Sequence, residues 1–117
     1  MDGRFVFVAP SAPHPTFGGI MKTITVQELQ QNSDVPLVDV REEHEFAEGR
    51  VPGAVNLPMS TLGERIDELP EGPFRVVCAL GGRSARVVEA LEARGYDATN
   101  VEGGTTAWAE AGFPLER

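Results

Sequence analysis

The sequence predicts a small α/β domain: an open, mainly parallel sheet of about five strands with helices on both faces. Three observations carry this reading. Runs such as Pro36-Leu37-Val38-Asp39-Val40 and Phe74 to Cys78 are short and nearly continuous in apolar residues, as strands buried on both faces are. Between such runs, apolar residues recur at helical spacing. Turn formers then separate the pieces, at Pro52-Gly53, at Gly95 and at Gly112.

Each element can be justified in order. Ile24 belongs to a short first strand. Thr25-Val26-Gln27-Glu28 has the form of a capping box, in which the threonine oxygen accepts from a free helix N–H and the glutamate reaches back. A short helix should follow, to about Gln31. Residues 36–40 form the next strand, interrupted by one acid. Glu42 to Glu48 suit a short helix whose acidic side is a solvated face. Ala54 to Leu57 form a strand entered through the Pro52-Gly53 turn. Thr61-Leu62-Gly63-Glu64 has the form of a second capping box, with Leu62, Ile66 and Leu69 at helical spacing behind it. Phe74 to Cys78 is a third buried strand. Ser84, Val87, Val88 and Leu91 fall at i, i+3, i+4 and i+7, the stripe of an amphipathic helix that Gly95 should stop. Ala98 to Val101 is the last strand, and Thr105 to Ala111 the last helix, closed by Gly112 with Pro114 beyond.

Composition sets the outer bounds. A chain of 117 residues suffices for one domain with its own core. Residues 1–20 carry prolines and glycines without a helical period, so they are expected to be an extension, and residues 21–117 the domain. The extension suits a cloning remnant, an upstream start codon or a true arm, in which Phe5 to Val8 could dock on the domain. The net charge of −8 argues against a nucleic-acid partner, whose phosphates demand a basic face. No apolar run approaches the roughly 20 residues that span a bilayer. A single cysteine forms no internal disulfide, and the histidines His14 and His44 lack metal-pair spacing. A reducing cytoplasm, with no metal and no cofactor, is the expected setting.

The chemistry concentrates at the end of the third buried strand. Cys78 is followed by Ala79-Leu80-Gly81-Gly82, then Arg83 and Ser84 at a helix start. A lone cysteine at a strand end is in general a small buried hydrophobe. The sequence around this one offers more. A free thiol has a pKa of about 8.5, and lowering it by about two units takes roughly 2.7 kcal/mol. Helix N–H groups, amides turned inward by flexible glycines, and the charge of Arg83 can supply that stabilisation. In open parallel sheets, sites lie outside the carboxyl ends of strands. Asp39-Val40-Arg41 ends another strand, so both clusters should meet at one sheet edge. Asp39 and Arg41 suit an ion pair that braces the loop. His44 suits a solvated surface position, and Trp108 the core.

These segments resemble a known family. LVDVREEHEFAEGRVPGAVNLP is similar to the first signature of rhodanese sulfurtransferases, D-V-R-x-x-x-E-[FY] followed by P-G-A-x-N-[LI]-P. VVCALGGRSARV resembles their active-site loop, C-x-x-G-x-R-S, and VEGGTTAWAEAGFP their closing G-G-x-x-x-W and G-x-P. The resemblance covers about Thr23 to Pro114. Arg50 departs from it, standing where histidine is frequent. The resemblance implies a rhodanese-like fold and a thiosulfate sulfurtransferase. Cys78 would take sulfane sulfur from a small anionic donor, thiosulfate or a persulfide. It would carry that sulfur as a persulfide cradled by Ala79, Leu80, Gly81, Gly82 and Ser84. A thiol or cyanide would then accept it. Arg83 would bind the donor, with Asp39 and Arg41 in support. A sulfur-carrier or interaction module, fed by a sulfur-relay protein such as a cysteine desulfurase, is the alternative. Phosphate and arsenate enzymes of related fold place five residues between cysteine and arginine, and here there are four.

Overall fold

The computed structural model describes residues 21–117, so the expectations for residues 1–20, including docking of Phe5 to Val8, lie outside the described residues. Five parallel strands form one sheet: β1 (Thr23–Ile24), β2 (Leu37–Asp39), β3 (Val55–Asn56), β4 (Phe74–Val77) and β5 (Ala98–Val101). Their spatial order is β1-β5-β4-β2-β3, which puts β4 at the centre between β5 and β2. The edge strands β1 and β3 have two residues each.

Among the described residues, one 3-10 helix and four α-helices accompany the sheet, the latter being α1 (Val26–Gln31), α2 (Glu43–Glu48), α3 (Gly82–Glu92) and α4 (Gly104–Glu110). The alternation of side chains along β4 sorts the core into two halves. Phe74, Val76 and Cys78 join Val87, Val88 and Leu91 of α3 on one face. Val77 joins Val26 and Leu29 of α1, Val101 and Trp108 of α4 on the other. The same alternation therefore aims the Cys78 side chain at the face where α3 begins. Trp108 is a core residue, 5% exposed, with its indole N–H donating to the Pro114 carbonyl at 2.7 Å.

The first capping box forms as expected. Glu28 N–H donates to Thr25 Oγ1 at 3.1 Å, and Thr25 N–H donates to Glu28 Oε1 at 2.9 Å. The second does not. Residues Leu62–Glu68 form a 3-10 helix, kinked at Arg65, and Thr61 makes no side-chain cap. Thr61 has ψ near 5° rather than the extended value of an N-cap, and its hydroxyl turns back to the Pro58 carbonyl at 3.4 Å. Leu62 is nonetheless fully buried, so the apolar spacing located the buried face even though the helix type differs.

Candidate functional site

The site is built on parallel neighbours. Asp39 of β2 is in register with Val77 of β4, so the segments that follow, Val40-Arg41 and Cys78-Ala79, leave the sheet side by side. The two clusters expected at one sheet edge do meet there.

Cys78 lies at the floor of a loop running into α3, with 1% of its surface exposed. Its Sγ accepts from the Gly81 amide at 3.1 Å, the Ser84 amide at 3.3 Å and the Ser84 hydroxyl at 3.3 Å. Burial pushes the thiol up. The Ser84 hydroxyl and amide, with the Gly81 and Leu80 amides, more than offset this and hold it below the ordinary thiol value. Gly81 turns the loop at φ 102°, which a residue with a side chain rarely adopts.

A second segment, not foreseen from the sequence, sets the loop's polarity. The Cys78 carbonyl accepts from Thr105 N–H at 2.8 Å and Thr105 Oγ1 at 3.2 Å, and the Ala79 carbonyl accepts from Thr106 N–H at 3.0 Å. In a planar trans peptide the N–H points opposite to the C=O. Pulling these two carbonyls onto the start of α4 therefore turns the Ala79 and Leu80 amides away from α4. Gly104 is what lets α4 come this close. At φ 63° it lies where a Cβ would overlap the Cys78 and Ala79 carbonyl oxygens.

The charged residues divide into two sets. Asp39 is fully buried and binds Arg41 through Nε, at 3.1 Å to both carboxylate oxygens, and Nη2, at 2.9 Å to Oδ2. Arg41 also donates to the backbone carbonyls of Glu45 at 3.3 Å and Gly49 at 2.8 Å, tying β2 to both ends of α2. Neither residue contacts Sγ. Arg83, expected to meet the donor, has its guanidinium forked on Glu45: Nη1 to Oε1 at 2.8 Å and Nη2 to Oε2 at 2.9 Å. The side-chain hydrogen bond from Arg83 outweighs desolvation and lowers the Glu45 pKa to about 2.

Glu45 thus corrects the expectation of a wholly solvated acidic run. It is half-buried, and Glu42 is also engaged, accepting from Ser60 Oγ at 2.6 Å. His44 is exposed. Glycine at 81 and 82 lies in the sequence beside Cys78. Glu45, the glutamate of the first signature, and Thr105 come from 38 residues before Arg83 and 27 after Cys78, and folding brings them to the loop. Among the described residues, no group of three His, Cys, Asp or Glu could hold a metal ion, and no helix is long and apolar enough to cross a membrane.

Comparison with known proteins gives a family and a fold. The profile of the Rhodanese-like domain matches residues 24–111. A sulfurtransferase of Allochromatium vinosum is 38% identical over 91 residues, covering 76% of this chain and 85% of that protein. The thiosulfate sulfurtransferase GlpE of Actinobacillus pleuropneumoniae is 32% identical over 91 residues, covering 76% of this chain and 84% of its own. Among solved structures, a rhodanese-like domain protein from Staphylococcus aureus superposes with a TM-score of 0.73 at 42% identity, over 83% of this chain and 100% of that one. A rhodanese-related protein from Thermoplasma volcanium gives a TM-score of 0.77 at 35% identity, over 81% and 97%.

Proposed function

The chain belongs to the rhodanese-like domain family, whose relatives support a general sulfurtransferase role, and from that premise we propose that it moves sulfane sulfur through a persulfide on Cys78. The observation that carries this is the ring of donors on Sγ, from the Gly81 amide and from the Ser84 amide and hydroxyl. Such donors stabilise a sulfur anion without a metal ion or a general base.

In the first half-reaction the Cys78 thiolate attacks the outer sulfur of thiosulfate or a related persulfide donor. A bond forms between Sγ and that sulfur. The bond from the outer sulfur to the rest of the donor breaks, and sulfite or a thiolate leaves with the electron pair. The terminal sulfur anion then lies against the loop formed by Ala79, Leu80, Gly81, Gly82 and Ser84. In the second half-reaction a thiol or cyanide attacks the outer sulfur, and Sγ recovers the electron pair as thiolate. With no second cysteine in the chain, no internal disulfide can release the sulfur, so an external acceptor must take it. Arg83 supplies positive charge at the far end of the loop, while Asp39 and Arg41 hold α2 in place. This chemistry requires no cofactor, and a reducing cytoplasm suits it.

The test is an intact mass after incubation with thiosulfate, on the wild type and on Cys78→Ala. A gain of one sulfur atom in the wild type alone is expected. Gain only when a cysteine desulfurase and cysteine replace thiosulfate would favour a protein-fed carrier. No gain from either would overturn the persulfide reading.

A further inference from the structure

The end of the sheet opposite Cys78 carries an apolar surface that the sulfur chemistry does not use. Cys78 follows the last residue of β4, whereas Val35 and Pro36 lead into β2, and the two strands run parallel. A groove of about 300 Å³ opens there, between the end of α1, the Pro52-Gly53 turn and Pro114. Its floor includes Leu29, Val51 and Trp108, which belong to the core half on the α1 and α4 side. Its rim carries Pro36, Pro52 and Pro114, all exposed. Proline has no N–H, so these positions offer an occupant no backbone donor. Among the described residues, Asp34 is the one charged side chain lining the groove, and it is exposed. Such a mouth suits an apolar segment that brings a cation beside it.

Residues 1–20 supply that combination. Phe5-Val6-Phe7-Val8 is an apolar run, and Arg4 stands directly before it. The chain is long enough to reach. β1 and β2 are three strand spacings apart, about 14 Å. The twelve residues between Val8 and Met21 can span about 40 Å. That is enough to pass beneath the start of the sheet from the α3 side, where Met21 packs. Charge disfavours a second copy of the chain as occupant. Asp2 and Arg4 cancel, so the net charge of −8 lies within residues 21–117, and two such bodies repel. A segment of the same chain escapes that cost, and its tether holds it at a local concentration on the order of millimolar. We infer that Phe5 to Val8 occupy this groove, with Arg4 against Asp34.

Photo-cross-linking on the full chain tests this. Phe7 is replaced by the photoreactive benzoylphenylalanine, and the irradiated protein is mapped by peptide mass. Cross-links within one chain are expected at the groove, on residues 29–37, 51–53, 108 or 114. Asp34→Lys should lower their yield at low ionic strength by about threefold, the scale of one exposed ion pair. Arg4→Glu should do the same. The chain carrying both changes should recover most of the yield, because the pair is restored with its signs reversed. Arg4 lies outside the domain, so a loss through Arg4→Glu cannot come from a misfolded groove. Cross-links that join two chains instead, that fall evenly over the surface, or that collect on β1 would overturn the inference. So would a complete absence of cross-links, or a groove yield indifferent to the charge swap. The sulfur-transfer reading stands apart from all of these outcomes, since the groove and Cys78 lie at opposite ends of the sheet.

Discussion

Ser84 does two jobs at the sulfur, donating to Sγ through both its amide and its hydroxyl. Because the donors hold the thiol below its ordinary value, thiolate should predominate at lower pH than for a free cysteine. Alkylation by iodoacetamide, followed against pH, should therefore have a midpoint below that of a free cysteine. Ser84→Ala removes one donor and should move that midpoint upward, with the amides still in place. Asp39 holds the guanidinium of the buried Arg41. Asp39→Asn strands the buried Arg41 charge and should cost about 3 kcal/mol in urea unfolding. The donors to Sγ were legible in the sequence because Gly81 and Ser84 reach it through backbone close to Cys78. The partner of Arg83 was not, since an ion pair between residues 38 apart depends on which strands become neighbours. The acidic run containing Glu45 looked solvated because periodicity reports apolar faces and is silent on which acid turns inward.

At the scale of elements, the start of α4 is a structural partner of the loop that ends β4. Its amides and the Thr105 hydroxyl take two loop carbonyls, which leaves the facing N–H groups free to meet an anion. Gly104→Ala would force a Cβ into those carbonyls from a left-handed backbone position. It should destabilise the fold by about 2 kcal/mol or more and slow sulfur loading, as urea unfolding and the intact-mass assay would report. Loss of stability without slowed loading in the remaining folded protein would show that α4 does not orient the loop. The elements themselves were largely legible, because buried strands and the stripe on α3 obey simple periods. The exception is instructive. Thr61 and Glu64 have the right identities for a cap, but a cap also needs extended backbone at its first residue. The chain arriving from Pro58 does not provide it. A capping pattern specifies donors and acceptors, and the incoming chain decides whether they can meet.

For the whole molecule, every strand and helix described lies between Thr23 and Glu110, and Met21 packs on the core from outside the sheet. A chain beginning at Met21 is expected to fold and to accept sulfur as the full chain does, checked by circular dichroism and intact mass. The sheet order places the site on its best-supported strand. β4 is hydrogen-bonded on both sides, Val76 and Val77 are fully buried, and the two-residue strands lie at the edges. Amide hydrogen exchange should register this as a gradient, fast at β1 and β3 and slowest at Val76 and Val77. The segment that roots Cys78 would then open only when the entire chain opens. Heat should consequently erase catalysis and the folded far-ultraviolet signal over one shared transition, with no cooler interval in which an intact fold carries a dead site.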